Sequence, residues 1–445
     1  MIKVGFMTMG CPKNQTDTEL MLSRLEDAGI EIVDEDIKAD IMIVNTCAFI
    51  KSAKEESIEA ILDLGWLKQN RNLKGIIVTG CMAQRYFEQI KKELPEADAV
   101  LGLGAESEIA ETVKKLYETG EGTYECGAPE ELVMEGGRIL STPDYYAYLK
   151  ISEGCDNRCS YCAIPSIRGA HRSRTMESIL EEAKLLSENG VKELCLVAQD
   201  TTRYGLDLYG EYKLADLLEA LCTTPGINFE WIRLLYCYPD KITDRLCEVM
   251  AKYSMIAKYI DLPIQHISDH VLEAMNRHGG AEIIRSAIER LRSHMPEIMI
   301  RTTVMVGFPG ETDKDFALLN SFVRDTLFGR LGAFEYSREE NTAAYMMPKQ
   351  ISAKTKAVRL DNIMNTQYTV AQEINSSYIG RTVRVLCESY DNVSECYFGR
   401  TEAHAPEIDG GVYFTSRRKI PAGEFVSVLI KDVCDYDLTG RETGK

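Results

Sequence analysis

The sequence predicts an α/β protein in three parts: an N-terminal doubly wound parallel sheet, a central partial (β/α)6 barrel, and a small C-terminal β-barrel of the OB type. Three observations carry that expectation. Continuous apolar runs alternate with helical periods from the first residues onward, and buried strands of this kind belong to parallel sheets covered on both faces. Six such strand–helix units follow one another in the middle of the chain, as in a partial parallel barrel. Past residue 380 the helices stop, and short strand patterns with glycine-marked turns take over.

The 445 residues suggest roughly two to four domains, and a hydrophobic content of 45% with 27% charged residues is ordinary for a chain with proper cores. No apolar run reaches membrane-spanning length, and Met1-Ile2-Lys3-Val4-Gly5-Phe6 opens a strand pattern rather than a signal peptide. A soluble cytoplasmic protein without membrane contact is therefore expected. In that compartment 14 cysteines argue for metal or redox use rather than disulfides. A net charge of −18 argues against a protein that wraps nucleic acid broadly and suits a basic partner, solubility alone being the plainer reading.

Residues 1–120 read as the first domain. A β-like run over 2–9 ends at Gly10-Cys11, and a helical period with Leu20, Leu22 and Leu25 covers 16–28. The apolar strand 40–45 ends at Thr46-Cys47, and the strand 74–79 ends at Gly80-Cys81. Helices are expected over 53–70, 84–94 and 107–117. Parallel sheets bind ligands beyond the carboxyl ends of their strands. Cys11, Cys47 and Cys81 each follow a strand directly, so all three emerge at one sheet edge. One cysteine there is commonly a small buried hydrophobe. Three after three strands read as a three-cysteine cluster site with one iron left open. Residues 121–144 lack periodicity and read as a linker, with Cys126 an incidental thiol.

Residues 145–372 carry the barrel. Its strands are expected over 147–152, 193–198, 229–235, 258–263, 299–306 and 331–336, with helices over 176–189, 214–222, 243–252, 281–294 and 313–325. After the first strand comes Glu153-Gly154-Cys155-Asp156-Asn157-Arg158-Cys159-Ser160-Tyr161-Cys162, three cysteines spaced C-x3-C-x2-C with an aromatic before the third. Thiolates this close on a loop grip three corners of one inorganic cluster. A cubane of four irons normally takes four cysteines, so three leave an iron open to bind a small molecule. Zinc is the competing reading. Structural zinc wants four closed ligands and no second pair stands at finger-like spacing, but His171 is available as a fourth.

Barrel chemistry sits at the carboxyl ends of the strands. There the sequence places Gln199 and Asp200, Tyr236 to Tyr238, Gln265 and His266, and Gly307-Phe308-Pro309-Gly310-Glu311, whose glycines permit close backbone approach to a ligand. His266, Cys195, Cys237 and Cys247 read as hydrogen-bonded or packing residues. Arg168, His171, Arg172 and Arg174 form a basic run expected on a solvated face. A helix over 353–373 leads into the last part, 373–445, with strands over 382–388, 396–401, 411–414 and 425–432. Arg417-Arg418-Lys419 is set among Glu402, Glu407, Asp409, Asp432, Asp435 and Asp437, whereas RNA rewards a continuous basic patch with stacking aromatics. Nucleic-acid contact is expected to be incidental.

The loop of Cys155, Cys159, Tyr161 and Cys162 resembles the signature of radical S-adenosylmethionine enzymes. That resemblance implies that the open iron chelates the cofactor's methionine portion, that Tyr161 lies near its adenine, and that an electron from the cluster yields a 5′-deoxyadenosyl radical. It also implies that Gln199, Gly307, Phe308, Pro309 and Glu311 form part of the cofactor pocket. A three-cysteine domain ahead of such a loop resembles the methylthiotransferases, and the tail resembles their TRAM module. Gly10-Cys11-Pro12-Lys13-Asn14-Gln15 is similar to the branch that modifies a ribosomal protein.

The family resemblance implies two 4Fe–4S clusters, one on Cys11, Cys47 and Cys81 carrying the transferred sulfur, the other on Cys155, Cys159 and Cys162. It implies two S-adenosylmethionine molecules, one methyl donor and one radical source, and a methylthio group placed on the β-carbon of an aspartyl residue of small-subunit ribosomal protein S-twelve. Further expected partners are a reductant such as flavodoxin or ferredoxin and a sulfur donor. Two alternatives stand beside this: a tRNA adenosine 2-methylthiotransferase, and an iron–sulfur electron or sulfur carrier without radical chemistry.

Overall fold

The computed structural model describes residues 1–34 and 36–444. In the first part, β1 (Lys3–Thr8), β2 (Glu31–Val33), β3 (Ile41–Thr46), β4 (Gly75–Gly80), β5 (Ala99–Leu101) and β6 (Tyr124–Glu125) form one parallel sheet in the order β2-β1-β3-β4-β5-β6. β3 and β4 are buried along their whole length, which is why their sequences are apolar without alternation. Ile41, Ile43 and Ile77 pack under α1 (Pro12–Asp27) and the helix Ile109–Thr119. Met42, Val44, Ile76 and Val78 pack under α2 (Lys51–Asn70), α3 (Cys81–Arg85) and the helix Phe87–Glu93 on the other face.

Three of these strands were not legible beforehand. β2, β5 and β6 span only three, three and two residues, too few for a period to register. β6 lies in the stretch expected as linker, so the sheet continues past residue 120. The chain leaves β1 for β2 on one side and returns to β3 on the other, which puts the crevice of the sheet between β1 and β3.

α1 begins earlier than its apolar period suggests, with Cys11 as N-cap and Pro12 in the first turn, where a missing N–H costs nothing. Its first turns bury Lys13, Asn14, Thr16, Asp17, Thr18 and Glu19. This polar face is the interface with the central part. Asp17 pairs with Lys150 and Arg168, and Glu19 with Arg138.

The central strands are β7 (Tyr146–Lys150), a short antiparallel pair β8 (Ser152–Glu153) and β9 (Arg172–Ser173), then β10 (Glu193–Val197), β11 (Trp231–Leu234), β12 (Ile256–Asp261), β13 (Met299–Val306) and β14 (Arg330–Glu335). Apart from the pair, they form an open parallel sheet in the order β7-β10-β11-β12-β13-β14, the partial barrel expected. The helix Ala353–Ser376 leads out to β15 (Thr382–Asp391), β16 (Cys396–Arg400), β17 (Val412–Thr415), β18 (Phe425–Cys434) and β19 (Asp437–Glu442), a closed barrel. β19 (DLTGRE) is polar and gave no strand signal.

The tail plugs the amino end of the central barrel, opposite the face where chemistry is expected. Glu407 accepts from the Tyr146 hydroxyl at 2.8 Å and Asp409 from that of Tyr259 at 2.7 Å. Glu193, at the start of β10, is held by Arg233 at 2.6 Å and Arg400 at 2.7 Å. In the tail's basic triplet, Arg418 pairs with Glu424 and Glu442 at 2.5 and 2.8 Å, so that cation faces its own carboxylates. Among the described residues no helix is long and apolar enough to cross a membrane.

Candidate active site

The carboxyl ends of the two parallel sheets face each other. Lys13, just after β1, lies over the ring of Tyr236, just after β11, and Arg85 of α3 pairs with Glu339, beyond β14, at 3.1 Å. Both cysteine triads line this gap.

The early triad is assembled by close backbone approach. Gly10 and Gly80 have φ of +95° and +90°, in the region that favours glycine. A Cβ on Gly10 would lie 2.9 Å from Cys47 Sγ, and one on Gly80 would lie 2.6 Å from the Thr46 carbonyl oxygen. Asn14 then ties the loops together, donating to the Met9 carbonyl at 3.0 Å and the Thr46 carbonyl at 2.9 Å. Its side-chain oxygen Oδ1 accepts from Cys81 Sγ at 3.5 Å. Burial pushes the Cys81 thiol up to about 12 against the pull of Arg168, and burial raises Cys47 as well. Burial also opposes ionisation of Cys11, but Lys13, Arg168 and the N–H groups of Asn14 and Lys13 outweigh it and lower its pKa.

The second triad sits on the loop after β8. Gly154 is required where it stands, since a Cβ would fall 2.0 Å from the Ala170 carbonyl oxygen. Ser160 fixes the middle of the loop, its N–H on the Met275 carbonyl at 2.9 Å and its hydroxyl on that of Ala274 at 2.8 Å. Arg277 stacks on Tyr238 at 4.2 Å, donates to the Tyr161 hydroxyl at 3.2 Å and approaches Cys159 Sγ at 4.0 Å. Burial raises the Cys155 thiol to about 11 and the Cys162 thiol to about 12. Metal must displace those protons to bind.

A buried ion network joins the two loops. Arg168 Nε donates to Cys81 Sγ at 3.3 Å, Nη1 to Glu153 at 2.9 Å, and Nη2 to Asn14 at 2.5 Å and Asp17 at 3.0 Å. Lys150 completes it with Asp17 and, at 2.8 Å, Glu153. Glu153 also accepts from the Gly154 N–H at 3.1 Å and from the Gln199 amide.

The basic run expected on a solvated face is therefore structural. Arg168 is 1% exposed, and Arg172 donates to the carbonyls of Pro129 and Glu130 in the linker. Arg174 pairs with Glu182 at 2.6 Å. His171, the zinc reading's fourth ligand, turns its ring to Ser173 at 3.1 Å and Asp207 at 3.6 Å. Among the described residues no three His, Cys, Asp or Glu side chains converge closely enough to hold a single ion.

The other expected pocket residues divide. Gly307 and Gly310 have φ of +74° and +85°. Phe308 is fully buried, 5.4 Å from the Tyr336 ring and 6.5 Å from that of Tyr161, with Pro309 buried beside it. The Glu311 carboxylate turns back onto the loop, accepting from the N–H groups of Gly307 and Phe308 (3.0 Å for the latter), so it shapes the segment. Gln199 keeps a buried carbonyl oxygen without a hydrogen-bond partner beside the network. The buried Glu311 Oε1 and His266 Nε2 make no hydrogen bond, though Glu311 Oε1 lies 3.5 Å from the Arg359 guanidinium and 4.0 Å from His266 Nε2. These orphan groups, glycine-shaped loops and two thiol triads fit ligands of the expected kind. Two clefts of about 780 and 1290 Å³ lie elsewhere, at the tail–barrel junction and between α2 and β14. Residue order carries no signal for Lys150, Asp17 and Arg277, whose partners include residues far away in the chain, and Arg168 read there as part of a solvated face.

Family models match along the chain: Uncharacterized protein family UPF0004 at 3–102, Radical SAM superfamily at 149–323, and TRAM domain at 379–442. The structure of a radical S-adenosylmethionine methyltransferase, TsrM from Kitasatospora setae, shares the fold over 77% of this chain and 77% of that one, at TM-score 0.57 and 14% identity. Fold and family models define a radical S-adenosylmethionine enzyme, with S-adenosylmethionine and 4Fe–4S clusters as its cofactors. Ribosomal protein uS12 methylthiotransferase RimO of Acetivibrio thermocellus is 47% identical over 99% of this chain and 98% of its own length. Those of Clostridium tetani and a Thermoanaerobacter species are 45% and 48% identical, each over 99% of this chain and 98% and 100% of their own lengths. The chain belongs to the RimO family of radical S-adenosylmethionine methylthiotransferases.

Proposed function

We propose that this enzyme places a methylthio group on the β-carbon of an aspartyl residue of ribosomal protein uS12, with Cys11, Cys47 and Cys81 holding one 4Fe–4S cluster and Cys155, Cys159 and Cys162 the other. The observation that carries this reading is the placement of two thiol triads on one gap, bridged by Arg168 between Cys81 and Glu153. The target C–H bond is unactivated, so ordinary general acid–base groups do not open it. When bound, the clusters and two molecules of S-adenosylmethionine supply the methyl group, the sulfur and the hydrogen-abstracting radical.

The chain's residues do the positioning. Arg277 holds the Tyr161 ring, which with Phe308 offers an aromatic wall for adenine. Gly307 and Gly310 let backbone approach the cofactor, and Glu311 fixes their loop. Gln199 offers its unpartnered carbonyl to a donor group of the cofactor. Lys150 and Arg168 neutralise Asp17 and Glu153 and keep the bridge between the triads dry. A reductant such as flavodoxin or ferredoxin and a sulfur donor complete the cytoplasmic system. The pairing of Arg418 with acidic neighbours favours a protein substrate over tRNA.

Anaerobically reconstituted enzyme should convert uS12 and leave tRNA unmodified. Cys159→Ala should abolish reductive cleavage of S-adenosylmethionine, whereas Cys47→Ala should retain cleavage and lose sulfur insertion. Methylthioadenosine in tRNA without modified uS12, or methylthio product from Cys47→Ala, would overturn the reading.

A further inference from the structure

We infer that Lys13 receives the carboxylate of the substrate's acidic side chain, and so selects an aspartyl over an asparaginyl residue; this deepens the proposed modification of uS12 and rests on it. Lys13 is 8% exposed, in the first turn of α1 and two residues past Cys11. Its ammonium crosses the gap and sits 3.3 Å from the centroid of the Tyr236 ring. The two residues therefore come from opposite walls of the site.

Three cations are buried around the early triad, and their compensation is unequal. Lys150 and Arg168 share the carboxylates of Asp17 and Glu153. Lys13 has no carboxylate within ion-pair distance among the described residues; its neighbours are the Cys11 thiol and the Tyr236 ring. An aromatic face compensates a cation only partly, and a thiolate at Cys11 is shared with Arg168. A carboxylate from outside the chain would complete the compensation that the other two cations already have.

Tyr236 is itself held in an unfavourable conformation. Its φ is +59°, left-handed for a bulky residue, fixed by its N–H on Asp261 at 3.1 Å and its carbonyl accepting from Thr201 at 3.1 Å. The strained backbone presents the ring under the ammonium at the mouth of the barrel. A carboxylate docked on Lys13 would hold the substrate's side chain in the gap between the two sheets, beside Cys11 and the Tyr236 ring.

The competing role for Lys13 is to neutralise a cluster on Cys11. Reconstituted full-length wild type, Lys13→Met and Lys13→Arg separate the two roles. Binding of a fluorescent uS12 peptide containing the target aspartate, and of its asparagine counterpart, is measured without S-adenosylmethionine, with iron and sulfide counted per chain. We expect wild type to prefer the aspartyl peptide, and Lys13→Met to bind it roughly 30-fold more weakly, the low end of the cost of unpairing a buried charge. The asparaginyl peptide should change little, iron should stay at about eight per chain, and Lys13→Arg should keep the preference. Lys13→Met with full iron and an unchanged preference would overturn the inference, as would loss of about half the iron. Wild type that binds neither peptide and leaves uS12 unmodified would instead bring down the substrate reading, and this inference with it.

Discussion

The guanidinium of Arg168 donates to Cys81 Sγ at 3.3 Å, and the same group holds Glu153, two residues ahead of Cys155, at 2.9 Å. One side chain thus ties the sheet that carries the early triad to the loop that carries the second. Its charge is matched in place by Asp17 and Glu153, so a buried cation can stand beside the thiols.

Arg168→Met should uncouple the two triads. It leaves two buried carboxylates facing Lys150 alone, a loss of about 3–5 kcal/mol by comparison with other broken buried pairs. Urea unfolding should record that loss, and iron per reconstituted chain should fall toward about four as the early cluster fails to assemble. Arg168→Lys should not rescue it, because an ammonium cannot serve Cys81, Asn14, Asp17 and Glu153 together.

Gly10→Ala should act locally. The new Cβ would need φ near +95° and would sit 2.9 Å from Cys47 Sγ. About 1–3 kcal/mol of strain and displacement of Cys47 should halve the iron content. Cleavage of S-adenosylmethionine, which depends on the other triad, should remain near wild type.

Glu106 gives the stability a pH dependence. It is buried beneath the sheet's crevice, accepting from Thr79 at 3.1 Å, and burial, reinforced by Asp17, raises its pKa to about 8. The native state therefore keeps a proton that the unfolded chain loses near 4.5. The resulting stabilisation is full below that value and declines as pH rises to about 8. At about 1.4 kcal/mol per unit, the decline amounts to a few kcal/mol. Glu106→Gln should flatten it between pH 5 and pH 9 in urea titrations, and an unchanged slope would refute this assignment.

Arg138 fastens the connecting segment. It donates to Glu19 of α1 at 2.5 Å, to the Tyr148 carbonyl at 2.7 Å, and to Glu182. Arg138→Ala should cost about 3–5 kcal/mol and make residues 121–144 the first site of limited proteolysis. Both cysteine triads keep their own contacts, so iron content should be retained.

Where most of the strands end, and which cysteines follow them, is readable from residue order alone. Unbroken apolar runs mark buried parallel strands, and residues 41–44 in β3, 76–78 in β4 and 194–197 in β10 carry that mark. The same logic puts Cys11, Cys47 and Cys81 at one edge of the sheet. What the charged residues do depends on how distant segments pack together. Arg168 and Asp17 are 151 residues apart and Lys150 and Asp17 are 133 apart, and local periodicity carries no record of a partner at that distance. A buried cation reads in sequence like a solvated one until the opposing carboxylate is in view. For Lys13 none comes into view among the described residues, and the ring of Tyr236 from the facing barrel is what the fold alone could reveal.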